Sequence, residues 1–183
     1  MRLRAFLILS LDGQAAGPGD DLSWHEPYFG DFGPWYEAFI ATIGTVVMGR
    51  RTFDLARTVP GWKFADGPWP GRDTILFTSR PVEPAVPRVT PWRQGAEPLL
   101  RELRRRHGAG DVWIMGGPAT LRQFQALDAI ARYDLFLAPI LLGAGIPWAG
   151  GPGGTESLTL AEHRTFPDGM VHLAYERPGA SSP

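Results

Sequence analysis

The sequence predicts an α/β fold: a central, mostly parallel sheet with helices on both faces, closed by an antiparallel hairpin. Three observations carry this. Short unbroken apolar runs recur along the chain at strand length, as strands buried on both faces require. Several run through a glycine or hydroxyl turn straight into a helical repeat, the order of a β-α unit. Near the end, two strand-like runs flank Pro167-Asp168-Gly169, a hairpin signal.

Taken in order, Leu3 to Leu11 is the first strand, apolar on both faces. It ends in Asp12-Gly13, at the position that lines the ligand crevice of open α/β sheets, so Asp12 either meets a substrate or caps the turn. Between Asp20 and Pro34 the chain is irregular. Trp24, Tyr28, Phe29 and Phe32 there either line a pocket for a flat ring or form a satellite core. Trp35, Phe39 and Ile43 fall at i, i+4, i+8 and predict a helix over 35–43, with Glu37 as its carboxylate. Thr45 to Met48 is a second buried strand that passes through Gly49 into Arg50-Arg51-Thr52. Two guanidiniums near a helix start gain nothing from the helix dipole. They either pair with surface carboxylates or wait for an anionic ligand.

Residues 58–73 read as a loop of functional length. Thr74 to Phe77 is a third strand, followed by Thr78-Ser79-Arg80, and Val89 marks a short edge strand between Pro87 and Pro91. Residues 98–107 form a helix with Leu99, Leu100 and Leu103 inward and Glu102 paired to Arg106 at i, i+4. Tyr133 to Leu142 is a further strand, and Leu158–Phe166 with Met170–Arg177 make the closing hairpin.

The organising stretch is Asp111 to Leu121. Val112 to Met115 is a buried strand; Gly116 and Gly117 lack a Cβ, so a ligand can approach the main chain. Pro118 suits the first helical position. The amides of that turn, with the positive end of the helix dipole, suit a phosphate, and Thr120 adds a hydroxyl. A plain tight turn is the other reading. Three strand ends, at Gly49, Phe77 and Met115, thus release donor-rich turns, and a parallel sheet sets such turns along one rim. A dinucleotide offers matching groups: pyrophosphate for the glycine turn, a ribose 2′-phosphate for the arginines. No acidic residue stands where a free ribose 2′-hydroxyl would bind, which favours NADP(H) over NAD(H).

Composition limits the alternatives. The chain has 183 residues, enough for one core; no repeat or linker divides it, so 1–177 is expected as one domain and 178–183 as a flexible tail. Apolar residues make up 44% and charged residues 20%, which excludes a disordered chain. A net charge of -1 gives no reason to expect nucleic acid or an anionic membrane as partner. With no cysteine, disulfides, thiolate nucleophiles and zinc-cysteine sites are excluded. The four histidines lack metal-ligand spacing, so no metal is expected, and no nucleophile elbow or P-loop is present. No signal peptide or run of about 20 apolar residues is visible, which predicts a cytoplasmic protein.

The ordered set Ser10-Leu11-Asp12-Gly13, Met48 to Phe53, Thr78-Ser79-Arg80 and Met115 to Leu121 resembles the dihydrofolate reductase superfamily. The match is similar above all to the reductase domain of riboflavin-biosynthesis deaminase-reductases and its stand-alone relatives, and Leu135 to Gly143 resembles that branch too. The resemblance implies a three-layer fold with a mixed sheet of about eight strands. It implies an NADPH-dependent oxidoreductase that passes hydride to a small polar carbonyl, imine or pterin-like acceptor, often as a homodimer. Gly49, Arg50, Arg51 and Thr52 would meet the adenosine phosphates; Thr78, Ser79 and Arg80 would flank adenine and its ribose phosphate. Gly116, Gly117, Ala119, Thr120 and Leu121 would hold the pyrophosphate, with Asp12 and Gly13 near nicotinamide and substrate.

Folate reductases carry an acid on the first helix, and Glu37 lies in that region as the candidate proton donor beside Asp12. Ala138-Pro139 stands where folate reductases place a threonine, and the 183 residues match the reductase half of the riboflavin enzyme alone. The same turns would also serve a non-catalytic NADP(H) sensor; turnover separates the two.

Overall fold

The computed structural model describes residues 1–28, 30, 33–58, 67–106, 110–150 and 155–179. The strands are β1 (Leu3–Ser10), β2 (Gln14–Ala16), β3 (Ile43–Gly49), β4 (Asp73–Phe77), β5 (Val89–Trp92), β6 (Asp111–Gly116), β7 (Arg132–Ala138), β8 (Ile146–Pro147), β9 (Thr159–Thr165) and β10 (Val171–Glu176). The α-helices are α1 (Gly33–Ala41), α2 (Arg50–Ala56), α3 (Ala96–Arg106) and α4 (Pro118–Gln125), with 3-10 turns at Pro18–Asp20 and Ser23–Tyr28.

Eight strands form one sheet in the order β5-β4-β3-β6-β1-β7-β10-β9; β2 and β8 pair separately. The pairs from β5 to β7 are parallel, and β10 and β9 close the sheet antiparallel. Strand alternation feeds two cores. Leu3, Ala5, Leu7 and Leu9 of β1 point to α3 and α4, where Leu99, Leu103, Leu121 and Phe124 are buried. Phe6 points to the other side, with Phe39 of α1, Phe53 of α2, and Trp69, Trp113 and Phe136. Helices on both faces of one sheet make the expected three layers.

Several boundaries differ from the sequence reading. Ile43 opens β3, opposite Asp111, instead of ending α1. The helix stops first because both the amide and the hydroxyl of Thr42 donate to Phe39 O, at 3.0 and 2.7 Å. The first residue of α3 is Ala96, two residues before Pro98, which leaves the proline in the first turn where its missing N–H costs little. β7 stops at Ala138, before Pro139, which has no N–H to donate. Pro91 lies inside β5, and β5 is an edge strand, where a proline is tolerated. Glu102 does hold Arg106, Oε1 accepting from Nε at 2.7 Å. Phe29, Phe32, residues 59–66, His107 and the tail from residue 180 lie outside the described residues. Among the described residues, no helix is long and apolar enough to cross a membrane.

One buried polar cluster interrupts the core beneath α1. Asp134 is fully buried and accepts from Arg4 Nη2 at 2.9 Å, Arg132 Nε at 3.0 Å and His172 Nε2 at 3.1 Å. Arg4 also donates to Thr42 Oγ1 and lies over the Phe39 ring, so the cluster ties β1, β7 and β10 to the end of α1. Burial pushes the Asp134 carboxyl up, but the His172 and Arg132 hydrogen bonds and the Arg4 charge outweigh it. The pKa falls from 3.8 to about 2. A depressed carboxylate stabilises the fold above its unfolded pKa and loses that contribution as pH falls through the folded one. Asp134→Asn is therefore expected to lower the unfolding free energy by about 3–5 kcal/mol at pH 7. The gap between variant and parent should narrow from about pH 4 downward, as measured by urea unfolding across pH.

Candidate functional site

Three neighbouring strands end on the same rim. Gly49 at the end of β3 stands opposite Phe77 of β4, and Met48 stands opposite Gly116 of β6. α2 follows Gly49 directly, and α4 follows Gly117 with Pro118 in its first turn. Because β3 and β6 are adjacent, the two helix starts touch. The Gly117 N–H donates to Thr52 Oγ1 at 2.7 Å. A Cβ on Gly49 would lie 2.7 Å from Thr120 Oγ1. Gly49 has an ordinary φ of -81°, so its glycine is needed for space. Gly116, at φ 103°, needs glycine for conformation, and the Gly116–Gly117 peptide is cis. The amides of Thr120 and Leu121 both donate to Gly117 O; that of Ala119 has no acceptor among the described residues.

A cavity of about 870 Å³ opens in front of these turns. Gly49, Arg50, Arg51, Thr52 and Gly117 through Thr120 form one wall, with Arg122 and Gln123. Phe6, Tyr36, Trp69, Trp113 and Met115 also line the cavity. The arginines already have partners. Arg50 donates to Asp54 Oδ1 at 2.7 Å and to Pro81 O at 2.8 Å. Arg51, largely exposed, pairs with Asp20, which also lines the cavity. Arg80 reaches the other Asp54 oxygen at 3.4 Å.

On the aromatic side, Trp69 Nε1 donates to Tyr36 Oη at 2.9 Å. Burial raises the Tyr36 phenol pKa, and the Trp69 hydrogen bond offsets part of the rise. His25, also on the wall, packs its ring 4.1 Å from that of Trp24. Burial pushes its imidazole pKa from 6.5 down to about 4 against the pull of the Asp21 carboxylate, so it is neutral at pH 7.

A RibD C-terminal domain, defined as a protein family, matches residues 2–172. The chain belongs to the RibD C-terminal domain family. The Bacillus subtilis (strain 168) protein YwjB is 28% identical to it over 143 residues, 78% of this chain and 79% of YwjB. The fold is that of a Shewanella sp. PV-4 structure described as a putative riboflavin biosynthesis protein: TM-score 0.77, 22% identity, covering 97% of this chain and 99% of that one. It is also that of an Enterococcus faecalis dihydrofolate reductase complexed with NADP(H): TM-score 0.65, 19% identity, 97% and 96% covered. The dihydrofolate-reductase-like resemblance of the sequence is thus correct, and the family and fold are those of reductases.

In this RibD-type chain the cavity wall gathers Gly49, Arg50, Arg51, Thr52, Gly117, Ala119 and Thr120 from the expected set. The remainder lie off the wall. Leu121 is fully buried in the core behind α4. Thr78 Oγ1 accepts from the Arg80 amide and shapes its own turn, beside exposed Ser79 and Arg80. Gly116 lies beneath the turn. Gly13 donates to Ser10 O and sits by Trp148.

Asp12 is not aimed at the cavity: its carboxylate accepts from Ser10 Oγ at 2.6 Å and from the amides of Leu142 and Gly143 at 3.1 and 2.8 Å. Those bonds, the Ser10 one foremost, hold its pKa below the usual carboxylate value. Glu37 is exposed on α1 and also off the wall. Sequence reasoning missed Asp20, Leu22, His25, Tyr36, Trp69, Trp113 and Arg122 as wall residues. Their aromatic and loop composition was visible, but no local spacing linked them.

Two measurements check this geometry. Gly49→Ala should destabilise the protein by about 1–3 kcal/mol through overpacking against Thr120. Adding Thr120→Ala should recover part of that loss; purely additive losses would show that the two residues do not meet. For His25, the unfolded chain takes up a proton that the folded one refuses between pH 6.5 and about 4, so stability falls as pH drops through that window. An NMR titration should place the imidazole midpoint near 4, and His25→Gln should flatten the stability curve there.

Proposed function

We propose that the protein is an NADPH-dependent reductase that transfers a hydride to a small carbonyl or imine acceptor. The observation that carries this reading is the meeting of two glycine-led helix starts, with two guanidiniums, in the lining of a cavity that also gathers Phe6, Tyr36, Trp69 and Trp113. The residues present suit a dinucleotide phosphate. Gly49 leaves open the space that a Cβ would contest with Thr120, and the Ala119 amide at the start of α4 is ready to donate. Thr52 and Thr120 add hydroxyls, and Arg50 and Arg51 offer planar forks for a 2′-phosphate, with Arg80 flanking. Support also comes from the neighbouring fold that holds NADP(H) in the Enterococcus dihydrofolate reductase.

NADPH, when bound, supplies the hydride. The chain's part is to orient and to dry. The phosphate wall anchors one end, and the rings of Phe6, Trp69 and Trp113 exclude water at the other. Asp12 and Glu37 take supporting parts in this reading: Asp12 pins the β1 turn to Leu142–Gly143, Glu37 stays in solvent, and water delivers the proton.

Arg51 gives the test. Its Asp20 contact joins an exposed guanidinium to a partly buried carboxylate, a single solvent-screened pair that a 2′-phosphate can replace. Arg51→Ala is expected to weaken NADPH binding by about 1.5–3 kcal/mol more than NADH binding, measured by calorimetry. Equal loss for both cofactors would remove the 2′-phosphate contact from the reading.

A further inference from the structure

The two edges of the main sheet are guarded differently. At one edge β5 is four residues long and carries Pro91, which cannot donate to a further strand. At the other edge β9 is seven residues long, contains no proline and is exposed at every position. The hairpin fixes which main-chain groups β9 turns outward. The Phe166 N–H donates to Met170 O at 2.9 Å, so this pair is hydrogen-bonded across the turn. Antiparallel pairs alternate between bonded and non-bonded. Arg164 opposite His172 and Glu162 opposite Ala174 are then bonded pairs, whereas His163 opposite Leu173 and Thr165 opposite Val171 are not. The N–H and C=O of His163 and Thr165 therefore point away from β10, toward the open edge. Directly opposed residues share a face of the sheet, so Glu162 and Arg164 lie on the face of Ala174 and His172. Glu162 accepts there from Arg132 Nη2 at 3.4 Å. Arg164 has no ion-pair partner among the described residues.

We propose that β9 is an interface to which a second copy of this chain adds its own β9, antiparallel, about a two-fold axis at His163. The charges select that register. An axis at Glu162 sets Glu162 against the partner's Glu162, and an axis at Arg164 sets Arg164 against the partner's Arg164. Like charges directly opposite each other destabilise a strand pair. Axes between residues are excluded, since they set an outward-pointing residue against an inward-pointing one. The axis at His163 sets Glu162 of each copy against the partner's Arg164, so the symmetry makes the contact twice. Both contacts fall in non-bonded pairs, where facing side chains stand closest. Each Glu162 then takes one guanidinium from its own Arg132 and a second from the other copy. Edge charges ordinarily keep a strand from pairing at random. This set rejects the neighbouring registers and accepts one. The outward groups of His163 and Thr165 gain partners, and two eight-stranded sheets join into one. No residue of β9 lines the cavity, so the interface stands apart from the reductase reading.

Sedimentation equilibrium of the full chain, up to about 0.5 mM, reads the association, and the parent is expected to dimerise. Arg164→Glu sets Glu against Glu, and Glu162→Arg sets Arg against Arg. Each variant alone is expected to dimerise at least about tenfold more weakly. Mixed in equal amounts, the two variants restore both opposite-charge pairs and are expected to form a heterodimer about as tightly as the parent. Only folded chains can do so, which separates loss of the interface from failure to fold. In the parent, the amides of His163 and Thr165 should exchange hydrogen more slowly as protein concentration rises. A parent that stays monomeric throughout, a parent dimer indifferent to either single change, or a mixture that associates no better than its components overturns the proposal.

Discussion

The hydrogen bond from the Gly117 amide to Thr52 Oγ1 is the contact on which the rest of the site depends. It joins two turns 65 residues apart, and it forms because β3 and β6 are parallel neighbours that end side by side, Met48 standing opposite Gly116 after a shift of register past Val47. The register is set by burial. Val46, Val47, Trp113 and Ile114 are all nearly inaccessible, and a one-residue slip would turn every one of them to the wrong face. Apolar packing deep in the sheet thus fixes where two polar turns meet at its rim. Gly49 is the local condition for that meeting, since any side chain there would strike Thr120.

The charges at the rim follow a second rule. Arg50, Arg51 and Arg80 lie near helix starts or strand ends, where positive charge gains nothing from the backbone dipole. Each is matched with a carboxylate, Asp54 twice and Asp20 once. The pairs differ in strength. Arg50 is half-buried, bonded to Asp54 and to Pro81 O, and so holds α2 against the loop after β4. Arg51 is exposed, and an exposed ion pair contributes about 0–1 kcal/mol. A phosphate competes easily for Arg51 and poorly for Arg50, so two adjacent arginines in the sequence carry different work.

That difference marks how far the sequence could be read. The strand-glycine-helix order at Gly49 and Gly116 is local, and periodicity alone located both turns. The strands themselves were legible for the same reason, since buried parallel strands announce themselves as unbroken apolar runs, whereas their order in the sheet was not. What stayed hidden depends on partners distant in the chain. Asp12 looks like a crevice residue until Leu142 and Gly143, 130 and 131 residues away, donate to it. Leu121 follows the glycine turn, but helical geometry turns it into the core. β2 and β8, three and two residues long, are too short to show a period. Trp69 and Tyr36, 33 residues apart, share a hydrogen bond, and no spacing rule connects them.

The division of the cavity follows from the same architecture. Strand ends and helix starts collect main-chain donors, so the rim of β3 and β6 is polar whatever side chains it bears. The aromatic part of the lining belongs to the core cluster in which Phe6, Trp113 and Phe39 pack. It is apolar because it belongs to that core. A site built this way has a polar end fixed by backbone geometry and an apolar end fixed by side-chain choice. Residues such as Leu22, Tyr36 and Trp69 can then change without disturbing the turns at Gly49 and Gly117.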